Sequence, residues 1–435
     1  MIEFKVVVFG EQFHSPAFYR RWELFAKTYP NVDLTLLTPN YIHRDNNKSY
    51  GFGDTLVEGH AVEKGNFHIR LISRKSRGVG WISPDFKDLL LELRPDVVYV
   101  AGGHYALHLY QILHIRNKYL PETKVVSFSM RGPAYNLDMW KERVSPFSSY
   151  LKRRIVFYNY AKIGIKYFNR NCDAVFCHYP TAVECFKKEG YKGPIYMQTQ
   201  VGVNPELFHE SKEWREEIRN KYNLTDEYVF GSGTRFIIEK GVDDIIAALP
   251  EEGNWKYLII GAGKPDEMAR IQRAIQKKNV GNKIIMTGEI NFSEMPKYWN
   301  ALDCVVHVPR SSVHWEETFS IALVQAMITG KPIIASDSGS VPYQVGSEGI
   351  VVPAGDIEAI HKKMCWVLTH IEEAKEIGER MRQRAYNCFS IRHLNALLYK
   401  TFKEDIIPGK FDPAKADMAT YKTEENYEKQ KKDYQ

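Results

Sequence analysis

The sequence predicts an α/β protein made of two Rossmann-like, doubly wound parallel-sheet domains. Three observations carry this. Short apolar runs recur along the chain, and most are continuous rather than alternating, as strands covered on both faces must be. Amphipathic stretches of helical period separate them. The runs fall into two sets of about six, on either side of a polar stretch at Val201–Asn223. Strand–helix alternation of this kind implies parallel sheets with right-handed crossovers.

Taken in order, the first set of strands is expected at Phe4–Phe9, Val32–Leu37, Asp96–Val100, Lys124–Phe128, Asp173–Cys177 and Ile195–Gln198. The second is expected at Tyr228–Gly231, Trp255–Ile260, Lys283–Thr287, Cys304–Val308, Pro332–Ala335 and Gly349–Val352. Helices are expected between them, among others at Pro16–Tyr29, Val242–Leu249, Asp266–Lys278 and Phe319–Thr329. Val201-Gly202-Val203-Asn204-Pro205 reads as a turn before a polar helix, so the domain boundary is placed at 205/206. The segment 408–435 is nearly free of aliphatics and reads as a polar tail, either a solvated helix or disordered.

Composition narrows the function classes. With 435 residues, two or three domains are expected at about 150 residues each. A hydrophobic content of 44% excludes a mainly disordered chain. The 59 basic and 53 acidic residues leave +6, which does not call for a nucleic-acid partner. No uninterrupted apolar run is long enough to span a bilayer, and the N-terminus lacks the order of a signal peptide. The six cysteines show no C-x-x-C spacing, so a zinc site is not expected. Thinly spread thiols fit a reduced, cytoplasmic setting.

In open α/β sheets, ligands bind beyond the carboxyl ends of the strands, so the glycines and polar residues there are the candidates. After the Tyr228 strand, Gly231-Ser232-Gly233-Thr234-Arg235 leads to Lys240-Gly241. Two cations beside a helix start can hold a diphosphate, one as a fork and one as a point charge. A solvated loop with ordinary charges is the plainer reading of that stretch alone. Gly261-Ala262-Gly263-Lys264-Pro265 lacks both the third glycine of a dinucleotide fingerprint and a G-K-[ST] element, so it reads as a tight strand-to-helix turn. The densest signal is Trp315-Glu316-Glu317-Thr318-Phe319-Ser320-Ile321, continuing through Gln325 to Gly330-Lys331-Pro332. There a carboxylate precedes a helix whose first N–H groups, those of Phe319, Ser320 and Ile321, suit a phosphate or sugar oxygen.

This last stretch resembles the retaining glycosyltransferases of the GT-B fold, glycosyltransferase family 4. Glu317, Phe319, Ala326, Met327, Gly330 and Pro332 fall in register on the family's Glu-x-Phe-Gly-x4-Glu-Ala-Met-x-x-Gly-x-Pro pattern. Arg235 and Lys240-Gly241 match its Gly-Arg…Lys-Gly element. Gly261 and Gly263 match its strand-end glycines, Gly288 its base-binding turn, and Ser336-Asp337-Ser338-Gly339-Ser340-Val341-Pro342 its Asp-x-Gly-Gly-x-Pro loop. The match is continuous from about Tyr228 to Ser390.

The resemblance implies an acceptor domain at 1–205 and a nucleotide-sugar domain at 206–390, with a helix at 391–407 returning to the first. Arg235 and Lys240 would neutralise the leaving diphosphate. Glu317 would bind donor-sugar hydroxyls, and the N–H groups of Phe319, Ser320 and Ile321 the sugar and phosphate, with Gly233, Gly261 and Thr318 also on the donor side. Gln325 would contact the ribose, and Gly288-Glu289-Ile290 the base. The reaction implied is front-face transfer of a hexosyl group with retention, from GDP-mannose or a UDP-hexose, to a glycan, lipid-linked or small-molecule hydroxyl. No metal or other cofactor is expected, since the two cations do a divalent ion's work.

The departures are informative. The pattern's second carboxylate is Gln325 here, its glycine is Ser320, and the acidic position after Pro342 is Tyr343. A neutral acceptor is worth about 0.5–1.5 kcal/mol, against about 1.5–3 for a charged one. A sugar-nucleotide-binding protein without turnover is therefore the alternative. A dinucleotide-dependent dehydrogenase would need a full glycine fingerprint. On the acceptor side the candidates are Gly10, Glu11, His104, Ser129 and Arg131. Ser129 stands about where many relatives carry a histidine. A helix at Tyr150–Asn171 has a basic stripe of Lys162, Lys166 and Arg170, read as a solvated edge or as a peripheral contact with the inner membrane face.

Overall fold

The computed structural model describes residues 1–11, 13, 16–44, 55–58, 60–77, 80–103, 106–129, 163–312, 315–424 and 428–429. His104, Arg131 and most of the expected helix at 150–171 lie outside them. Of that helix the described part, 163–171, is helical. The chain divides into two compact units, Met1–Gln200 with Asn395–Tyr421, and Val201–Leu394 with Lys422–Gln435.

The first unit contains β1 (Phe4–Gly10), β2 (Val32–Pro39), β3 (Tyr41–Arg44), β4 (Thr55–Glu58), β5 (Val62–Lys64), β6 (Phe67–Ile72), β7 (Lys75–Arg77), β8 (Gly80–Ile82), β9 (Val97–Ala101), β10 (Lys124–Ser129), β11 (Ala174–Cys177) and β12 (Ile195–Met197). Its main sheet runs β12-β11-β10-β9-β1-β2-β6-β5, parallel except at the β5–β6 edge. Alternate residues along a strand point to opposite faces. Val6 and Val8 accordingly join Trp22, Tyr99, Phe176 and Phe402 on one face, while Val7 and Phe9 join Val98, Val100, Leu109 and Phe168 on the other. That double burial is why the strands read as unbroken apolar runs.

The excursion β3–β8 was not expected from the sequence. β6 alternates buried Phe67 and Ile69 with partly exposed His68 and exposed Arg70, so it lacks the continuous apolar signal of its neighbours. The tail also differs from expectation over 408–424. Met418 is fully buried, its N–H donates to Met197 O at 3.0 Å, and buried Lys415 pairs with Asp405 (3.0 Å) and Asp412 (2.8 Å). Polar composition conceals an ion cluster here, since Asp405 Oδ2 also accepts from Tyr196 at 3.1 Å.

The second unit holds β13 (Tyr228–Gly233), β14 (Trp255–Ile260), β15 (Ile284–Gly288), β16 (Cys304–His307), β17 (Ile333–Ser336) and β18 (Ile350–Val352). All are parallel, in the order β15-β14-β13-β16-β17-β18. Chain order therefore reverses between β13 and β16, and such a reversal opens a crevice at the strands' carboxyl ends. The domain division falls at 200/201. The helix Ile391–Lys400 changes unit at Leu394/Asn395, and it contributes Leu398 to the first unit's core.

Candidate functional site

The carboxyl ends of β13 and β16 deliver Gly233 and His307 to that crevice. From the turn after β13, Lys240 closes a short helical turn (Ile238–Lys240) and forms an ion pair with Glu317. Their side chains are only 13% and 9% exposed. Lys240 Nζ also lies 5.1 Å from the centre of the Trp315 ring. His307 Nε2 stands 3.8 Å from Glu317 Oε2 and makes no hydrogen bond. Burial pushes the His307 imidazole down to about 4, with Lys240 adding to this and Glu317 opposing it, so the ring is neutral near pH 7.

The loop carrying Glu317 is fixed from behind. Gly339 has φ +56°, and a Cβ there would stand 2.2 Å from Glu317 O. No side chain fits, so the backbones touch, and Ser340 N–H donates to Glu317 O at 2.7 Å. Ser320 caps the helix Ile321–Ile328 by accepting from Leu323 N–H at 3.3 Å.

Two residues expected to contact the donor have partners within the protein. Ser320 N–H already donates to the buried Gln344 side-chain oxygen at 2.9 Å, and Gln344 returns a bond to Ser320 O at 3.0 Å. Its N–H is thus committed within the protein. Gln325, expected to meet a ribose, is buried and its Oε1 accepts from Trp299 Nε1 at 3.1 Å. Trp299 in turn packs against Gly233, where a Cβ would stand 2.4 Å from the ring.

Of the other expected residues, Arg235 lies exposed on the turn after β13, and Thr318, Phe319 and Ile321 are partly exposed. Phe319 meets Phe389 edge-on at 5.7 Å. Gly261 N–H donates to Gly288 O at 3.1 Å, joining the turns after β14 and β15, with Glu289 exposed and Ile290 partly exposed beside them. In the first unit, Gly10 ends β1 under the Phe13 ring, and Glu11 Oε1 accepts from Trp81 Nε1 at 2.7 Å. Ser129 ends β10, buried. After the neighbouring strand, His178 packs edge-on to Phe128 and bonds Thr199 Oγ1 at 2.7 Å. Among the described residues, no group of three or more His, Cys, Asp or Glu side chains could hold a metal ion.

Sequence reasoning passed over His307, Trp299 and Gln344. For His307 a signal existed: it is an ionisable residue closing an otherwise apolar strand at a carboxyl edge.

Residues 214–384, less than half of the chain, match the family model described as glycosyl transferases group 1. That segment is a group 1 glycosyl transferase domain. Curated proteins similar to the chain include a GDP-mannose-dependent alpha-(1-6)-phosphatidylinositol monomannoside mannosyltransferase of Mycolicibacterium smegmatis, 28% identical over 206 residues, 45% of this chain and 53% of that protein. A lipopolysaccharide core biosynthesis mannosyltransferase of Rhizobium meliloti is 30% identical over 126 residues, 27% of this chain and 34% of that one. The chain thus spans about half or less of the length of these relatives. Among solved structures, sucrose-phosphate synthase of Thermosynechococcus elongatus superposes with TM-score 0.65 at 17% identity, covering 92% of this chain and 99% of that one. Anabaena Alr3699/HepE, solved with UDP and glucose, gives 0.62 at 15% identity, over 93% and 100%. These likenesses establish the GT-B fold. Lys240, His307 and Glu317 all lie inside the group 1 domain.

Proposed function

We propose that the chain is a retaining glycosyltransferase that moves a hexosyl group from a nucleoside-diphosphate sugar to a hydroxyl of a glycan, lipid-linked or small-molecule acceptor. The observation that carries this reading is the buried Lys240–Glu317 pair beside the strand-order reversal of the group 1 domain. A cation and a carboxylate held together there suit the two halves of such a donor. Lys240 and Arg235 take the diphosphate, whose charge grows as the bond to the sugar breaks. Glu317 accepts hydrogen bonds from sugar hydroxyls. The acceptor oxygen bonds to the anomeric carbon on the face from which the diphosphate departs, through an oxocarbenium-like state. The acceptor's proton passes to the departing diphosphate oxygen.

GDP-mannose is the first donor to test, because three relatives are named GDP-mannose-dependent mannosyltransferases. UDP-glucose is the second, because HepE was solved with it. Incubation of the protein with each donor and simple glycoside acceptors, followed by proton NMR, should show an α-linked product from an α-linked donor. A β-linked product from the same donor would contradict the retaining step.

Gln325 favours one other reading, a sugar-nucleotide-binding protein without turnover, since its oxygen is engaged by Trp299. Gln325→Glu separates the two. A large gain in donor hydrolysis or transfer supports a site that has lost activity, and an unchanged rate supports an adapted one.

A further inference from the structure

We infer that His307 is a positioning residue for Glu317, taking hold of its carboxylate when a donor diphosphate draws Lys240 away. The inference rests on the donor reading above and extends it to a residue outside the motif.

A carboxylate as buried as Glu317 needs hydrogen-bond donors, because burial removes the water that would otherwise supply them. Lys240 supplies one. The same ammonium is the point charge suited to a diphosphate. When it turns to the phosphate, Glu317 loses its closest donor just as it must be held steady to meet the sugar. His307 is built into the last position of β16, with Nε2 buried, unbonded and 3.8 Å from the same oxygen, Oε2. That gap is too long for a hydrogen bond, and a shift of under about 1 Å closes it. A neutral imidazole carrying its proton on Nε2 can donate without cancelling the carboxylate's charge. Glu317 therefore remains a charged acceptor for sugar hydroxyls. A lysine or a protonated histidine at this place would compete with them.

The test uses binding, so it needs no acceptor. GDP and GDP-mannose, and UDP with UDP-glucose, are titrated calorimetrically into wild type, His307→Phe, His307→Gln and Lys240→Ala. The informative quantity is the affinity of the sugar nucleotide relative to its own nucleoside diphosphate, which isolates the sugar's contribution. For His307→Phe, which fills the space without a donor, nucleoside diphosphate affinity should stay within about twofold while sugar-nucleotide affinity falls about tenfold, the loss of one good hydrogen bond. His307→Gln restores an N–H near the Nε2 position and should recover most of that ratio. Where an acceptor has been found, kcat should follow the same order with little change in acceptor KM. The inference is overturned if His307→Phe leaves the ratio unchanged, if both ligands weaken in parallel, or if Gln behaves as Phe does. The donor reading fails separately: wild type would bind neither diphosphate, or Lys240→Ala would bind it as tightly as wild type.

Discussion

A buried indole N–H must find an acceptor, and Trp299 finds it in Gln325. Gln325 thus helps to pack the end of β13, where Gly233 leaves room for the ring. Gln325→Leu keeps the volume and removes the acceptor. It should lower stability by about 1–3 kcal/mol, the cost of an unsatisfied buried donor, read as a lower urea midpoint with an unchanged slope. A midpoint equal to wild type would mean that Trp299 is satisfied elsewhere. At this scale the sequence disclosed Lys240 and Glu317, because charged residues at strand ends and helix starts stand out against apolar neighbours. It concealed Trp299 and Gln344, whose meaning lies in partners 26 and 24 positions away, and the signal at His307 gains its meaning only from Glu317, 10 positions on. It also suggested that Ser320 N–H was open to a ligand, since nothing local reveals that Gln344 reaches it.

The element that carries the proposed donor site is the helix Ile321–Ile328 with the loop before it. Its geometry is set by the turn at 338–340 and the short helix Val341–Val345 that follows, through the Gly339 backbone contact and the paired bonds between Gln344 and Ser320. Gly339→Ala meets both a left-handed backbone and a carbonyl at 2.2 Å. The left-handed conformation alone costs about 1–2 kcal/mol, and relieving the clash must displace Glu317. Nucleotide-sugar affinity and stability should therefore fall together, and retention of both would show that the loops adjust independently. In the first unit the tail is an element in its own right. Lys415 is buried among Asp405, Asp412 and Glu404. Lys415→Ala leaves Asp405, only 1% exposed, without its ammonium partner. Breaking a buried pair costs about 3–5 kcal/mol, so the unit's unfolding midpoint should drop sharply. Composition did not reveal this because the tail docks through charges rather than through an apolar stripe.

At the scale of the molecule, pH reports on buried histidines, His307, His108 and His178 among them. Burial holds His307 down to about 4 and His108 and His178 to about 3. Each lies below the value near 6.5 of an unfolded chain, so between these limits the unfolded state binds more protons. Stability is then complete above about pH 6.5 and is lost as pH falls toward 4 in the group 1 domain and toward 3 in the first unit. For His307 the contribution is about 3 kcal/mol. Urea midpoints at pH 7, 6, 5 and 4 should decline, and His307→Gln should flatten the group 1 domain's share. A flat profile in wild type would contradict the buried neutral rings. The fold class, both sheets and the central strands were legible because strands covered on both faces are apolar throughout. The β3–β8 excursion was not, since its short hairpins and edge strands mix polar and apolar residues. In the proposed donor site, the crevice beside β13 and β16 would hold a nucleoside diphosphate through Lys240. Thermal unfolding with UDP, GDP or ADP at millimolar concentration tests it directly. One nucleotide should raise the transition, since ligand at 100 times its dissociation constant adds about 2.7 kcal/mol, and Lys240→Ala should abolish the shift. No shift with any of the three, or an equal shift in Lys240→Ala, would contradict it.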